Sequence, residues 1–280
     1  MHKHPGALYV VATPIGNLDD LTPRAQRTLA EVGLVAAEDT RHTSVLLNHF
    51  GIHTPLISLH EHNEGEKTPA LVVQLLQGVS IALVSDAGTP LISDPGFDLV
   101  RKARSAGIRV IPVPGACALV TALSASGLPT DRFVFEGFLP AKSTARRKRL
   151  NDLATESRTL VFYESVHRLA ESLADMSVTI GAARQAVIAR ELTKLHEELR
   201  AGSLEELARW AETAPEARLG EAVILVSGAP PQAQSWQADA VLQPLLELMP
   251  VSQAAETAAR ITGMNKNQLY KRALQLAGSR

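Results

Sequence analysis

The early part of the chain repeats one pattern three times: an amphipathic segment closes on a glycine and a short apolar run follows. Gly33 precedes Leu34-Val35-Ala36-Ala37, Gly78 precedes Ile81-Ala82-Leu83-Val84, and Gly107 precedes Ile108 to Val113. Glycine takes the left-handed conformation that closes a helix, and an unbroken aliphatic run suits a strand covered on both faces. This pattern specifies α/β architecture. Thr22-Pro23 and Asp94-Pro95 each offer a capping side chain followed by a proline suited to the first helical turn. With an opening strand over Ala7 to Ala12, a first α/β domain is expected over residues 1–137.

After Phe138-Leu139-Pro140 a second series begins. Its strand-like runs are Thr159-Leu160-Val161-Phe162, Ala186-Val187-Ile188-Ala189 and Ala222-Val223-Ile224-Leu225-Val226, separated by helical segments. They define a second α/β domain, 138–230. Pro230-Pro231 and the polar stretch Gln232 to Gln237 read as a linker. In the remainder of 231–280, Val251 to Ala255 and Asn265 to Leu276 flank Gly263, as in a helix-turn-helix. The fold class is therefore α/β: two α/β domains with a cleft between them, plus a small helical C-terminal appendage.

With 280 residues, 45% of them hydrophobic, the chain can bury a sizeable core. Its 28 Lys and Arg against 29 Asp and Glu exclude a generally basic surface, so any nucleic-acid contact must be local. The single cysteine, Cys117, excludes an intramolecular disulfide and a cysteine-based zinc site, as expected of a cytoplasmic protein. No apolar run approaches the roughly 20 residues that span a bilayer, and no signal peptide is apparent, so no membrane partner is expected.

Ligands of open α/β domains bind beyond the strand ends. Four such loops stand out. Thr13-Pro14-Ile15-Gly16-Asn17-Leu18 follows the first strand, and alone is equally an ordinary turn. Glu38-Asp39-Thr40-Arg41 could be a charged site or a helix cap. Ser85 to Gly96 packs Asp86, Ala87, Gly88, Pro90, Asp94, Pro95 and Gly96 together, a density that favours ligand binding over turning alone. Pro114-Gly115-Ala116-Cys117-Ala118 admits a flat ligand or a closely packed helix.

In the second half, Tyr163-Glu164-Ser165-Val166-His167-Arg168 and Arg190-Glu191-Leu192-Thr193-Lys194 put charge at strand ends, as a cleft wall or an ion-pair network. There is no GxGxxG after a strand, no GxxxxGK[ST] and no GxSxG. His60-Glu61-His62 lacks a nameable third ligand, so no metal is expected. Lys142, Arg146, Arg147, Lys148 and Arg149 form a cationic run that is a solvated helix face or a phosphate-binding surface. Lys266, Lys271 and Arg272 add positive charge near the C-terminus.

Taken in order, the four loops resemble the tetrapyrrole methylase superfamily. Tyr163-Glu164 with His167-Arg168, and Arg190 to Lys194, resemble its branch that methylates ribosomal RNA. The resemblance covers nearly the whole chain. It implies 2′-O-methylation of a cytidine ribose in 16S rRNA of the small ribosomal subunit, S-adenosylmethionine as donor, a cytoplasmic homodimer and no metal. It also implies that Gly88-Thr89, Ile92, Ser93, Cys117 and Ala118 line the cofactor pocket, with Pro14 near it and Asp86, Ala87 and Tyr163 in support. Tetrapyrrole enzymes commonly carry Gly-Asp-Pro where this chain has Gly88-Thr89-Pro90, which weighs against tetrapyrrole chemistry.

Methyl transfer from a sulfonium is an in-line displacement, and a ribose hydroxyl must lose its proton during or after attack. Glu38, Asp39, Asp94, Glu191 and Lys194 are the proton acceptors at hand, with Glu191 or a neutral Lys194 preferred. Arg41, Arg168 and Arg190 are expected to hold RNA phosphates, together with the cations of 142–149 and the tail. Two other readings compete: a tetrapyrrole C-methyltransferase, and a non-catalytic RNA- or DNA-binding regulator built on the C-terminal helices.

Overall fold

A computed structural model describes residues 5–218, 220–230 and 235–278. Residues 231–234 of the expected linker lie outside them. Up to Gly228 the chain is one compact unit built around two five-stranded sheets, and residues from Ala229 form a second.

The first sheet comprises β1 (Leu8–Val11), β2 (Leu34–Ala37), β3 (Leu56–Ser58), β4 (Ile81–Val84) and β5 (Val110–Val113) in the order β3-β2-β4-β1-β5, with every pair parallel. The glycine-led runs are its strands, as the sequence requires. Both faces are covered. Val11, Val35, Ala37, Ala82, Val84 and Val113 pack with Ala25, Leu29 and Leu47 of α1 (Pro23–Glu31) and α2 (Thr40–His49). Leu8, Ala36, Ile81 and Leu83 pack with Leu71, Leu75, Leu99 and Ala103 of α3 (Glu64–Leu76) and α4 (Phe97–Ser105). This sandwich places the loops after β1, β2, β4 and β5 along one edge of the sheet.

Thr22 caps α1 through its hydroxyl, with Pro23 in the first turn, as expected. Asp94 does not cap α4. That helix begins after Gly96, and the Glu64 carboxylate accepts its first N–H groups from Asp98 and Leu99 at 2.7 and 3.1 Å. A cap supplied from α3 leaves Asp94 free for another environment.

The second sheet comprises β6 (Phe133–Phe138), β7 (Thr159–Ser165), β8 (Gln185–Arg190), β9 (Glu198–Ser203) and β10 (Glu221–Val226), ordered β6-β7-β10-β8-β9. Only β6 and β7 pair in parallel. β6 already belongs to this sheet, so the boundary expected at 137/138 moves upstream, to the segment after α5 (Ala118–Ala125). One face packs on α6 (Ser143–Leu153), α7 (Leu169–Ile180) and α8 (Leu204–Thr213) through residues such as Leu160, Phe162, Ile188 and Ile224. The other face, with Val161, Val187, Ala189, Val223 and Leu225, packs on Ile15 and on Leu119, Ala122 and Leu123 of α5. The two halves therefore share an apolar core beside the loop edge of the first sheet.

The C-terminal unit contains α9 (Ser235–Leu248), α10 (Val251–Thr262) and α11 (Lys266–Gly278) around Ala238, Leu242, Ala254, Ala255, Ala258, Leu269 and Ala273. α10 closes on left-handed Gly263, as the helix-turn-helix reading requires. Among the described residues no helix is long and apolar enough to cross a membrane.

Candidate active site

The loops at the edge of the first sheet are tied to one another. Thr13 and Gly88 exchange backbone hydrogen bonds of 2.8 and 3.1 Å, joining the β1 and β4 loops. The Thr89 hydroxyl donates to the Ala116 carbonyl at 3.0 Å, joining the β5 loop. The backbone N–H of Asp86 donates to Glu38, and that of Asp39 donates to Asp86 Oδ1 at 3.0 Å, joining the β2 loop. Within the β4 loop Leu91 and Ser93 hold φ of 73° and 69°, a strain that is tolerated where the surrounding structure enforces it, commonly at functional sites.

The second sheet faces these loops with the end of β7 (Tyr163, Glu164, Ser165), with Ala189 and Leu192, and with the start of β10 (Gly220 to Val223). Between the two walls lies a cleft of about 420 Å³, within the range of small-molecule sites. Ala87, Gly88, Thr89, Ile92, Ser93, Cys117 and Ala118 line it, as does Tyr163. Pro14 instead lines a neighbouring cavity of about 280 Å³ together with Thr13, His42 and Ser85. Asp86 touches both.

Charge in the cleft is one-sided. Glu38, Asp86 and Asp94 line it from the first sheet, and no lysine or arginine is among the described lining residues; of the two acids on the opposite wall, Glu164 turns its carboxylate to Ser172 and Arg168 and Glu221 pairs with Lys194. Burial, reinforced by the Glu38 and Asp86 carboxylates and opposed by a Ser85 hydrogen bond, pushes Asp94 up to about 6. Burial raises Glu38 as well. Glu164 is buried and accepts a hydrogen bond from the Ser172 hydroxyl.

The preferred proton acceptors lie outside the cleft lining and are tied up in one ion pair, Lys194 as a protonated amine and Glu191 as a carboxylate made less basic. Lys194 Nζ sits 3.0 Å from both Glu191 Oε1 and Glu221 Oε2. Partial burial pulls the lysine down, but the two carboxylates more than compensate and hold it protonated. Burial likewise opposes a net lowering of Glu191 by Lys194 and the Glu221 N–H. The neutral lysine expected from the sequence is thus displaced by an ion pair. Its stem runs close over the loop after β1, where a Cβ on Gly16 would meet Lys194 Cγ at 2.4 Å. Asp39 caps α2 and is paired with Arg41, whose guanidinium holds its carboxyl well below the usual range.

The expected RNA-binding cations separate into two kinds. Arg146 is turned inward, 1% exposed, and pairs with Asp175 at 2.7 Å, because its position falls on the buried face of α6. Arg190 is buried between Glu198, the Glu216 carbonyl and the Trp210 ring. Arg168 donates to the Leu139 and Pro140 carbonyls. These three hold the fold. Arg147 pairs with Asp175 and Arg149 with Glu136, both half-exposed. Lys142 and Lys148 are exposed, and the Arg41 side chain is 90% exposed. In the tail Arg272 pairs with Asp239 and Lys266 with Glu256, while Lys271 is exposed. Among the described residues no cluster of three His, Cys, Asp or Glu side chains could hold a metal.

Residues 7–208 match the family model described as Tetrapyrrole (Corrin/Porphyrin) Methylases. The chain belongs to the tetrapyrrole methylase family. Residues 232–277 match a second model, described as RsmI C-terminal HTH domain. The chain is 57% identical to a protein of Pseudomonas aeruginosa named ribosomal RNA small subunit methyltransferase I, with 98% of each chain covered. It is 53% identical to the protein of that name from Escherichia coli O157:H7, covering 98% of this chain and 96% of the other. The tetrapyrrole methylase fold recurs in the crystal structure of diphthine synthase, with a TM-score of 0.61 and 14% identity over 79% of this chain and 90% of that one. It recurs again in uroporphyrin-III C-methyl transferase from Thermus thermophilus complexed with S-adenyl homocysteine, with a TM-score of 0.55 and 22% identity over 79% and 97%.

Within this methylase, sequence reasoning missed Phe138 and Glu221 as parts of the cleft. Glu221 carries no signal of this kind, because ligand residues are expected at strand C-termini and β10, antiparallel to its neighbours, presents its first residues to the site.

Proposed function

We propose that this protein transfers a methyl group from S-adenosylmethionine to the ribose 2′ oxygen of a cytidine in 16S rRNA of the small ribosomal subunit. The observation that carries this reading is the acidic cleft wall of Glu38, Asp86 and Asp94 beside the small residues of the β4 and β5 loops, which suits a donor bearing a sulfonium and an ammonium. Gly88-Thr89, Ile92, Ser93, Cys117 and Ala118 would hold the donor, with Asp86, Ala87 and Tyr163 beside them. When bound, it supplies an electrophilic methyl on a positively charged sulfur. Relatives over half identical across nearly the full chain, named for ribosomal RNA methylation, support the substrate class.

Asp94 is the residue best suited to take the ribose proton. Raised to about 6, it is ionised at neutral pH yet basic enough to accept a proton as one is released. Glu38 and Asp86 act on it through their charge. Arg41, Lys142 and Lys148, all exposed, hold RNA phosphates outside the cleft, so the polyanion stays at the mouth and a single ribose enters. Much of the rate comes from this alignment.

A tetrapyrrole bearing several carboxylates would meet like charge in the same cleft, and a pure regulator would leave the cleft without a role. As an enzyme of ribosomal subunits the protein works in the cytoplasm, as a homodimer and without a metal. Calorimetry with S-adenosylmethionine tests the site. Saturable binding that weakens in Thr89→Trp, which fills the cleft, is expected; absence of binding to the intact protein sinks the reading.

A further inference from the structure

Phe138 combines two properties seldom found together in a core-forming aromatic: it lines the cleft and it is 57% exposed. Its position results from a bulge. In a regular strand Phe135 and Phe138 would face opposite sides, because side chains alternate. The register of β6 against β7 shifts between Phe135 and Gly137, so Phe135 lies opposite Val161 and Phe138 opposite Tyr163. Val161 and Tyr163 both belong to the cleft side of the sheet, and the bulge therefore turns Phe138 onto that side with Phe135. Both rings pack edge-on against Tyr163, at centroid distances of 4.9 and 5.7 Å. Gly137 permits the turn with φ of 65°, and a Cβ there would crowd Ser93 Oγ at 3.0 Å. Bulges beside active sites commonly re-aim one side chain.

A half-exposed phenyl braced by a tyrosine is a platform for a planar ligand. We propose that Phe138 stacks on the nucleobase of the target ribonucleotide once that nucleotide is drawn out of its RNA helix into the cleft. The inference rests on the proposed function. Single RNA bases are bound by stacking on aromatic faces, and extrusion has to be offset by such contacts. Phe138 ends an edge strand at the opening of the cleft, next to the pocket residues Ser93 and Tyr163 without being one of the small residues that shape its floor.

The test compares Phe138→Ala, Phe138→Tyr and Phe138→Trp with the unaltered protein. Tritiated S-adenosylmethionine and small ribosomal subunits from a strain lacking this methylation serve as substrates, and affinity for S-adenosylmethionine is measured by calorimetry. Phe138→Ala is expected to lose about 10- to 100-fold in kcat/KM, chiefly through KM for subunits, as for one lost stacking contact. Its affinity for S-adenosylmethionine stays at the wild-type value, and the Tyr and Trp variants recover most of the activity. An Ala variant as active as wild type overturns the inference. So does a loss explained by weaker cofactor binding, which would place the ring against adenine, or by a changed oligomeric state in light scattering. If wild-type protein binds S-adenosylmethionine but methylates no subunit RNA, the proposed function itself fails and the inference falls with it.

Discussion

Tyr163 accepts a hydrogen bond through its hydroxyl from the backbone N–H of Leu119 at 3.1 Å, linking β7 of the second sheet to the first turn of α5. Burial raises the phenol pKa above its usual value, so it stays protonated. Tyr163→Phe removes this link and leaves a helix N–H without its partner. A loss of about 1 kcal/mol in urea unfolding is expected, with weaker S-adenosylmethionine binding. An unchanged unfolding midpoint would show that the bond holds nothing.

Asp94 gives a pH signature. Its raised pKa means the carboxylate forms only as pH rises through about 6, so single-turnover methylation should climb through that range. Asp94→Asn should lower the rate by about 100-fold and erase the climb. The stability effect has the opposite sense. A carboxyl raised on folding contributes stability below its ordinary pKa and loses it as pH rises through 6. At neutral pH Asp94→Asn should therefore be the more stable protein, by about 1 kcal/mol once screening at this half-buried site is allowed for. Thermal melts at acid and neutral pH check the sign.

The cationic run of α6 should divide under mutation. Arg146→Ala removes the buried member of the two arginines on Asp175 and opens a hole in the core face of α6, leaving Arg147 and Ser143 on the carboxylate, and should cost about 2 kcal/mol, read by denaturant unfolding. Lys148→Ala, on the exposed face, should leave stability unchanged and reduce the salt dependence of RNA binding by about one unit of slope. Equal effects of the two on RNA binding would refute the division.

The C-terminal unit has its own small core, so ending the chain at Pro230 should leave S-adenosylmethionine affinity intact and raise KM for ribosomal subunits. Equal KM with and without the unit would remove its role in docking.

Much of this architecture is legible in the sequence because the first sheet is parallel and buried, so its strands are continuous apolar runs announced by helix-closing glycines. β9 is an edge strand with polar, half-exposed residues and carries no such signal. β6 is disguised by its bulge at Glu136-Gly137, which breaks the alternation on which a strand would be recognised. The residues lining the first wall of the cleft could be named because they cluster in loops; the charge states could not. Whether Lys194 is neutral depends on Glu221, distant in sequence and 3.0 Å away in space. Arg146 likewise reads as one cation among five until the helix phase and Asp175 turn it inward.

The most direct measurement is the position of the transferred methyl. Tritiated S-adenosylmethionine, wild-type protein and small ribosomal subunits lacking the modification should give label in 16S rRNA at one cytidine, with the adjoining phosphodiester resistant to alkali because the 2′ oxygen is blocked. Asp94→Asn should transfer far less under the same conditions. Label on a base, an alkali-labile site, or label on a tetrapyrrole in place of RNA would contradict the account.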